Sequence, residues 1–436
     1  MLNYVKAYMV YPILESYLKR DISTKKKFLD QFSLVPKDER KVIVHKSLIN
    51  TLENAKQNVP YYRDLFKRIK FDLNKVEKDI RYLQDVPFLT KDIIREQKNR
   101  LLSEKLVNGI KIPRKTGGST GVSVNIYYDQ EALDWTAAAN LHAIEFTGRK
   151  HHNLEVHLST DFQNQIPFKA RLTEYIKCMG MNRVNILTHS LRDDELSKVL
   201  QKLDKVRPYI VQGHPSTLYA LALYVKKHGI QRNNFFKAFE STGETLDLKK
   251  IKLIEEQIGA KTYNRYGSAE FGVVAHSEGD PLLLKVISPI AYVENYTLDE
   301  TLNELVITNL TNKLMPLIRY RTGDIGKLIE MNDETYIMNL EGRIHDIITI
   351  NNNHYPTHYV QDVLDKIGGI DEFQIIEHQN GSYTLKVVPQ NNLLKIESIK
   401  AEMTKIFGDN FKVEISTLHQ LAKSGWREKF RYLVKE

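Results

Sequence analysis

Cysteine is almost missing from this chain: Cys178 stands alone among 436 residues. One thiol excludes an intramolecular disulfide and a cysteine-rich zinc site, and it fits a reducing compartment. With Met179 and Met181 beside it, it reads as soft packing and not as a nucleophile. Long apolar runs are also missing, none approaching the ~20 residues that span a bilayer. The opening MLNYVKAYMVYPILESYLKR lacks a basic start, an uninterrupted apolar core and a small-residue cleavage site, so no secretion signal is expected there. A cytoplasmic location without membrane association is the expectation. Neither fixed-period repeats nor low-complexity runs occur, and no Pro/Gly/Ser linker divides the first 340 residues. Charge of one sign is only modestly in excess, 63 Lys and Arg against 54 Asp and Glu. The lysines are spread along the chain without a basic block, which favours anionic ligands such as nucleotides and gives no footprint for nucleic acid.

What is present is enough for packed cores. A hydrophobic content of 42% over this length excludes a disordered or fibrous chain and allows one large domain plus a smaller one. Residues 1–110 read as helices with charged faces, for example Lys41 to Ala55 and Thr90 to Leu106, with Thr90 as N-cap. From about residue 154, short apolar runs alternate with helical segments, the pattern of βαβ units feeding a parallel sheet. Tyr209-Ile210-Val211 leads through Gly213-His214-Pro215-Ser216 into a helix closed by Gly229; Ala238-Phe239-Glu240 leads through Ser241-Thr242-Gly243-Glu244 into a helix that begins near Asp247 and stops at Gly259. A third strand near Lys261 to Asn264 runs into Tyr266-Gly267-Ser268-Ala269-Glu270. Ligands of such sheets sit outside the carboxyl ends of the strands, so these three polar turns are expected to share one edge. The last 90 or so residues change character, with a strand at Tyr383 to Val387 and a helix at Lys395 to Phe407. The expected fold class is therefore α/β: a large domain over 1–342 with mainly parallel sheets and flanking helices, then a small, mobile α+β domain over 343–436.

Thr116-Gly117-Gly118-Ser119-Thr120-Gly121 is the strongest local signal. Three glycines allow left-handed backbone and close approach of N–H groups to an anion, and the hydroxyls add donors, which is phosphate-cradling chemistry. The spacing and lysine of a P-loop are missing, as is the dinucleotide fingerprint, and a flexible hairpin has the same composition. Arg319-Tyr320-Arg321-Thr322-Gly323-Asp324 places a carboxylate after a glycine turn, where Asp324 could accept both hydroxyls of a ribose or remain a solvated surface acid. Gly342-Arg343-Ile344-His345-Asp346 sets a cation and a second acid at the domain boundary, and Lys429 lies among aromatics near the end. His354 and His358 have metal-like spacing, but Pro356 between them opposes a helix presenting both; no structural zinc is expected.

The ordered set TGGSTG, STGET, YGSAE, YRTGD and GRIHD, followed by a lysine in KFR, resembles the adenylate-forming superfamily, specifically its phenylacetate–CoA ligase-like branch. Pro87-Phe88-Leu89-Thr90-Lys91-Asp92 and Val59-Pro60-Tyr61-Tyr62-Arg63 are also similar to that branch, including relatives in capsule polysaccharide clusters. The resemblance implies ATP and Mg2+ as cofactors and a role for each motif. Thr116, Gly117, Gly118, Ser119, Thr120 and Gly121 would handle the ATP phosphates, and Gly243 and Glu244 would line the adenine pocket. Tyr266, followed by Gly267, would stack near the adenine while Glu270 holds magnesium. Asp324 would bind the ribose, Arg343 would reach the nucleotide, and Asp346 would be the hinge of the small domain. Lys429, preferred to Lys423 because KFRYLV matches the family ending, would bridge the carboxylate and the α-phosphate. His214, at a strand end, is a candidate contact for the substrate carboxylate, with a hydrogen-bonded structural histidine as the other reading.

The resulting expectation is ATP-dependent activation of a carboxylic acid as acyl-AMP and transfer to a thiol, of coenzyme A or of a carrier-protein phosphopantetheine. Transfer to an amine, hydroxyl or sugar acceptor is the alternative enzyme, and a non-catalytic descendant of the fold is the alternative class.

Overall fold

Helical periodicity in the first hundred residues is realised as a run of helices, of which Lys37–Asn58 is the longest described. The computed structural model describes residues 2–436 apart from 107, 117–123, 160–167, 189–190, 232–233, 299–301, 344–346, 351–352, 358–359, 361–362, 365–366, 391–393, 395, 409 and 425–428. Thr90 is an N-cap, its hydroxyl accepting the Ile93 N–H at 3.3 Å. The helix it starts ends at Gln97 and not near Leu106, because Lys98 turns into left-handed backbone with φ 48° and a 3-10 turn, Lys98–Leu101, follows. That turn buries Leu101 and Leu102 and delivers the Ser103 N–H to the Leu314 carbonyl at 2.8 Å.

Strands β1 (Ile112–Lys115) and β2 (Asn125–Tyr128) form an antiparallel hairpin. Next come β3 (Glu155–Ser159), β4 (Arg183–Leu187), β5 (Ile210–Gly213), β6 (Ala238–Thr242) and β7 (Lys261–Ser268), parallel in the order β4-β3-β5-β6-β7. Strands β8 (Gly272–Ser277), β9 (Leu283–Val286), β10 (Ala291–Thr297), β11 (Asn303–Asn309), β12 (Tyr320–Met331) and β13 (Glu334–Arg343) extend the same sheet with antiparallel pairing, in the order β8-β9-β13-β12-β11-β10. The sheet thus has 11 strands, and the parallel part carries the βαβ units. Asp247 starts the helix Leu248–Ile258 by accepting the Lys250 N–H at 2.8 Å, as Asp at an N-cap does.

The two faces of the parallel strands differ. Val156, Leu158, Ile186, Val211 and Phe239 form one core with Leu196, Val199 and Leu203, Leu218 and Leu221, and Ile254 and Ile258, from the helices Asp193–Val206, Pro215–Lys227 and Leu248–Ile258. The opposite face is mixed: Glu155, His157, Arg183, Asn185, Gln212, Glu240, Thr242 and Arg265 lie on it together with Ile210, Ala238 and Tyr263, which form a small apolar cluster with Ile144. Helices Gln130–Ile144 and Phe168–Gly180 approach that face: Asn140 accepts from Arg265 at 2.7 Å and Cys178 Sγ from Asn185 at 3.5 Å.

Beyond β13 come β14 (Ile347–Ile350), β15 (Asn353–Pro356), β16 (Ile370–Glu377), β17 (Tyr383–Pro389), β18 (Phe411–Ile415), β19 (Lys423–Ser424), β20 (Lys429–Phe430) and β21 (Leu433–Lys435). A four-stranded sheet, β18-β17-β16-β21, builds its own core from Phe373, Leu385, Ile399, Met403 and Leu433 among others. His354 lies on β15, not on a helix, and His358 is outside the described residues. No described helix is long and apolar enough to cross a membrane.

Candidate active site

The three polar turns do end neighbouring parallel strands. His214 follows β5, Gly243 and Glu244 follow β6, and Ala269 and Glu270 follow β7. Gly267 lies in β7 itself; a Cβ there would stand 2.3 Å from the Gly272 carbonyl oxygen, so the tight β7–β8 crossing already requires glycine at that position. Tyr128 from β2 donates to the Ala269 carbonyl at 2.9 Å and fixes the turn.

Asp324 is not in an isolated turn. It lies in β12, where the four steps from Arg321 to Ile325 are matched by only two on β11, a bulge that Gly323 accommodates with φ 74°. Glu304 holds the bulge, accepting from the Gly323 N–H at 2.9 Å and from Arg321 Nε at 2.8 Å. Segment 87–91 joins β12 directly: Leu89 N–H donates to Arg319 O and Arg321 N–H to Leu89 O, each at 3.0 Å.

Strands β7 and β12 are separated by β8, β9 and β13, which in a flat sheet would hold them about 19 Å apart at ~4.8 Å per strand. The side chains nevertheless meet twice. The Tyr266 hydroxyl donates to Asp324 Oδ2 at 2.8 Å, and the Tyr320 hydroxyl donates to Glu270 Oε1 at 3.3 Å. The sheet therefore curls on itself, as strand twist favours, and sets two carboxylates at one edge. Glu270 is only 5% exposed, and its Oε2 accepts no hydrogen bond from a described residue. Arg343 is paired with Asp324 in the β12–β13 register; its side chain is outside the described set. Asp346 and Gly117 to Gly121 also lie outside the described residues. Thr116 is buried, and its hydroxyl accepts the Val124 N–H at 3.0 Å while its own N–H donates to Val124 O at 2.9 Å, closing the neck of the glycine loop.

Glu244 joins two elements at the strand-end edge. Its carboxylate accepts the Ser216 N–H at 3.2 Å and the Phe430 N–H at 2.8 Å, so it ties the start of the helix Pro215–Lys227 to the hairpin β19–β20. In that hairpin Ser424 faces Lys429 and Lys423 faces Phe430, which puts the backbone of both lysines beside the strand-end edge. Buried Gln374 anchors it by donating to the carbonyls of Ala422 and Arg431 at 2.7 and 2.8 Å. No local sequence signal marks Gln374. His214 Nδ1 lies 2.9 Å from the Thr242 carbonyl and 3.9 Å from Glu244 Oε1, so part of its role is structural.

Beneath this edge Glu240 is fully buried, accepting from Gln212 at 2.6 Å and lying 3.2 Å from Arg265 and 2.9 Å from His276. Burial opposes its charge, but Arg265, His276 and Arg183 outweigh that and hold its carboxyl at about 2.

No protein-family model matches the chain. CapK of Staphylococcus aureus is 22% identical over 397 residues, covering 86% of this chain and 85% of that protein. Phenylacetate–coenzyme A ligase of Pseudomonas putida is 24% identical over 354 residues, 76% of this chain and 77% of the other. Over most of its length the chain is thus similar to phenylacetate–coenzyme A ligases and to CapK, in line with the resemblance its motifs carry. A crystal structure of 2-hydroxyisobutyryl-CoA ligase in the postadenylation state, in complex with R3-HIB-AMP, matches the fold of this chain with a TM-score of 0.72 at 18% identity, covering 92% of this chain and 90% of the other. The same ligase in the thioesterification state matches with 0.59.

Among the described residues no cluster of three or more His, Cys, Asp or Glu could hold a metal. Magnesium does not need one: it keeps several waters and is held by one or two carboxylates plus substrate phosphates. A nearly buried carboxylate with one tyrosine hydrogen bond, as at Glu270, fits that demand.

Proposed function

We propose that the protein uses magnesium and ATP to convert a carboxylic acid to acyl-AMP and then passes the acyl group to coenzyme A. The curled sheet carries this reading, because its two tyrosine bridges place Asp324 and Glu270 together at the carboxyl edge of the parallel strands. In the first step a carboxylate oxygen attacks the α-phosphorus and pyrophosphate leaves; in the second the thiol sulfur attacks the acyl carbon and AMP leaves. Two anions must approach while charge grows on phosphorus, so opposing charge and alignment are the chief needs, the latter saving ~7–11 kcal/mol of barrier. Magnesium, when bound, supplies charge stabilisation at the phosphates. In this chain Glu270 would hold the metal, Asp324 the ribose hydroxyls and Arg343 the nucleotide. Gly243, Glu244, Tyr266 and Gly267 would border the adenine, and the Thr116 to Gly121 loop the phosphates. His214 would meet the substrate carboxylate. We assign 1–342 to a large domain and 343–436 to a small one turning about Asp346, working in the cytoplasm.

ATP–pyrophosphate exchange across a panel of acids tests the reaction, with acid-dependent exchange expected. No exchange with any acid, while ATP still binds, would point to a non-catalytic descendant. Lys429 supplies a sharper check. Lys429→Ala is expected to lower exchange by ~100- to 1,000-fold, the scale seen when one transition-state donor is lost, yet to spare thioester formation from supplied acyl-AMP. Lys423→Ala in the same hairpin should change neither; the reverse pattern would transfer the role to Lys423.

A further inference from the structure

Parallel strands covered on both sides are ordinarily apolar on both faces. Here the face under the helices Asp193–Val206, Pro215–Lys227 and Leu248–Ile258 obeys, while the other is mixed, with Ile210, Ala238 and Tyr263 packed on Ile144 beside a polar row. Across the other face one register row reads Asn185, His157, Gln212, Glu240 and Tyr263. Most of this row is accounted for. Gln212 donates to Glu240, Glu240 also meets Arg265 and His276, and Asn185 donates to Cys178. His157 is the exception: its ring makes no hydrogen bond to any described residue. It is partly open to solvent while Leu158 next to it and Glu155 two positions away are buried. Yet burial, reinforced by Arg183 and Arg265, pushes its imidazole down to about 3. A partly exposed ring without a hydrogen-bond partner among the described residues, set on a sheet face that the helices Gln130–Ile144 and Phe168–Gly180 approach, is placed to meet a ligand.

We propose that this polar face is the acyl chamber of the adenylation site and that His157 selects a carboxylic acid bearing a hydroxyl on its acyl group. The inference rests on the adenylation reading. The chamber lies one residue row below His214 and Thr242, directly beneath the strand-end edge where the carboxylate would be activated. A neutral imidazole offers one N–H and one lone pair, and a hydroxyl answers both. A hydrocarbon would strip water from the ring and return nothing. A second carboxylate suits it less, because the guanidinium groups within reach are already engaged: Arg183 with Glu155 at 2.6 Å and Arg265 with Glu240 at 3.2 Å.

The test compares matched acids: butyrate with beta-hydroxybutyrate, and phenylacetate with para-hydroxyphenylacetate. Each is assayed by ATP–pyrophosphate exchange and, in parallel, by calorimetric binding without ATP. For at least one pair the wild type should favour the hydroxylated member by ~10-fold or more in kcat/KM and in binding, since a site built to bond a hydroxyl discriminates strongly against its absence. His157→Leu should remove that preference without weakening the hydrocarbon acid, and His157→Gln, which keeps a donor and an acceptor, should retain part of it. Thermal unfolding checks that both variants fold. Exchange with hydrocarbon and hydroxylated acids alike, or a preference unchanged in His157→Leu, overturns the chamber while leaving adenylation standing. Selective binding lost in His157→Leu without any exchange supports the chamber and overturns adenylation. Neither binding nor exchange with any of the acids overturns both.

Discussion

Replacing Glu270 by glutamine is expected to lower magnesium-dependent ATP–pyrophosphate exchange by ~100-fold or more while the protein melts within a few degrees of wild type. The side chain is nearly buried and its one described side-chain partner is the Tyr320 hydroxyl, which donates to Oε1 at 3.3 Å. Glutamine keeps a carbonyl acceptor for that hydroxyl and removes only the charge, so packing and the tyrosine bond persist. What goes is the anion that would hold magnesium against the phosphates; charge-directed groups at such centres are worth factors of 100 to 1,000. Glu270→Ala is expected to lose as much exchange and, in addition, about 0.5–1.5 kcal/mol of stability with the hydrogen bond. Raising magnesium tenfold should restore part of the activity of either variant if the defect is metal affinity. Wild-type exchange by Glu270→Gln at ordinary magnesium would remove Glu270 from the metal site.

Local features of the fold were readable because each is specified within a few residues. Asp247 at the helix start, the strand–turn–helix units around His214 and Gly243, and the hairpin flanking the glycine loop all depend on neighbours in sequence. The antiparallel extension was not readable, since β13 inserts between β9 and β12 and nothing local fixes that order. For the same reason Asp324 reads as the end of a turn, whereas its placement comes from a bulge held by Glu304 and from a tyrosine 58 positions away. The polar face could have been seen. Glu155, His157 and Ser159 alternate with Val156 and Leu158, a period-two pattern in a strand expected to be buried on both sides. Each polar residue alone is unremarkable; only the shared row makes a chamber. Lys250 is the opposite case, three positions after Asp247 on a helix whose other lysines look solvated, and yet only 2% exposed.

That lysine leads to the largest stability effect expected in the molecule. Lys250 Nζ lies 2.9 Å from Asp247 and 3.3 Å from Glu372, and it donates to the Tyr432 hydroxyl, which in turn donates to Asp247 at 3.2 Å. Asp247 and Lys250 belong to the large sheet's helix layer, Glu372 and Tyr432 to the C-terminal sheet, so the cluster fastens one to the other. Two further bonds flank it, Tyr219 to Asp371 O at 2.9 Å and Lys249 to Ile370 O at 2.5 Å. Burial works against the charge on Lys250, but Asp247 and Glu372 outweigh it and hold its pKa well above the ordinary lysine range. Lys250→Ala would take the ammonium away from buried Glu372 and from half-buried Asp247, a defect that costs ~3–5 kcal/mol in comparable buried pairs. The expected result is a large fall in thermal midpoint together with faster protease cleavage between the two sheets, because undocking gives both acids back to water. Because the folded-state pKa is raised, the ion-pair contribution is complete below the unfolded lysine value and fades only as pH rises through the folded one. The penalty measured between pH 6 and 9 should therefore be flat. Lys250→Met combined with Glu372→Leu and Asp247→Asn should recover much of the loss, since removing all the charges avoids the unpaired state. A Lys250→Ala protein that melts and resists protease like wild type would mean that the cluster does not hold the C-terminal sheet in place.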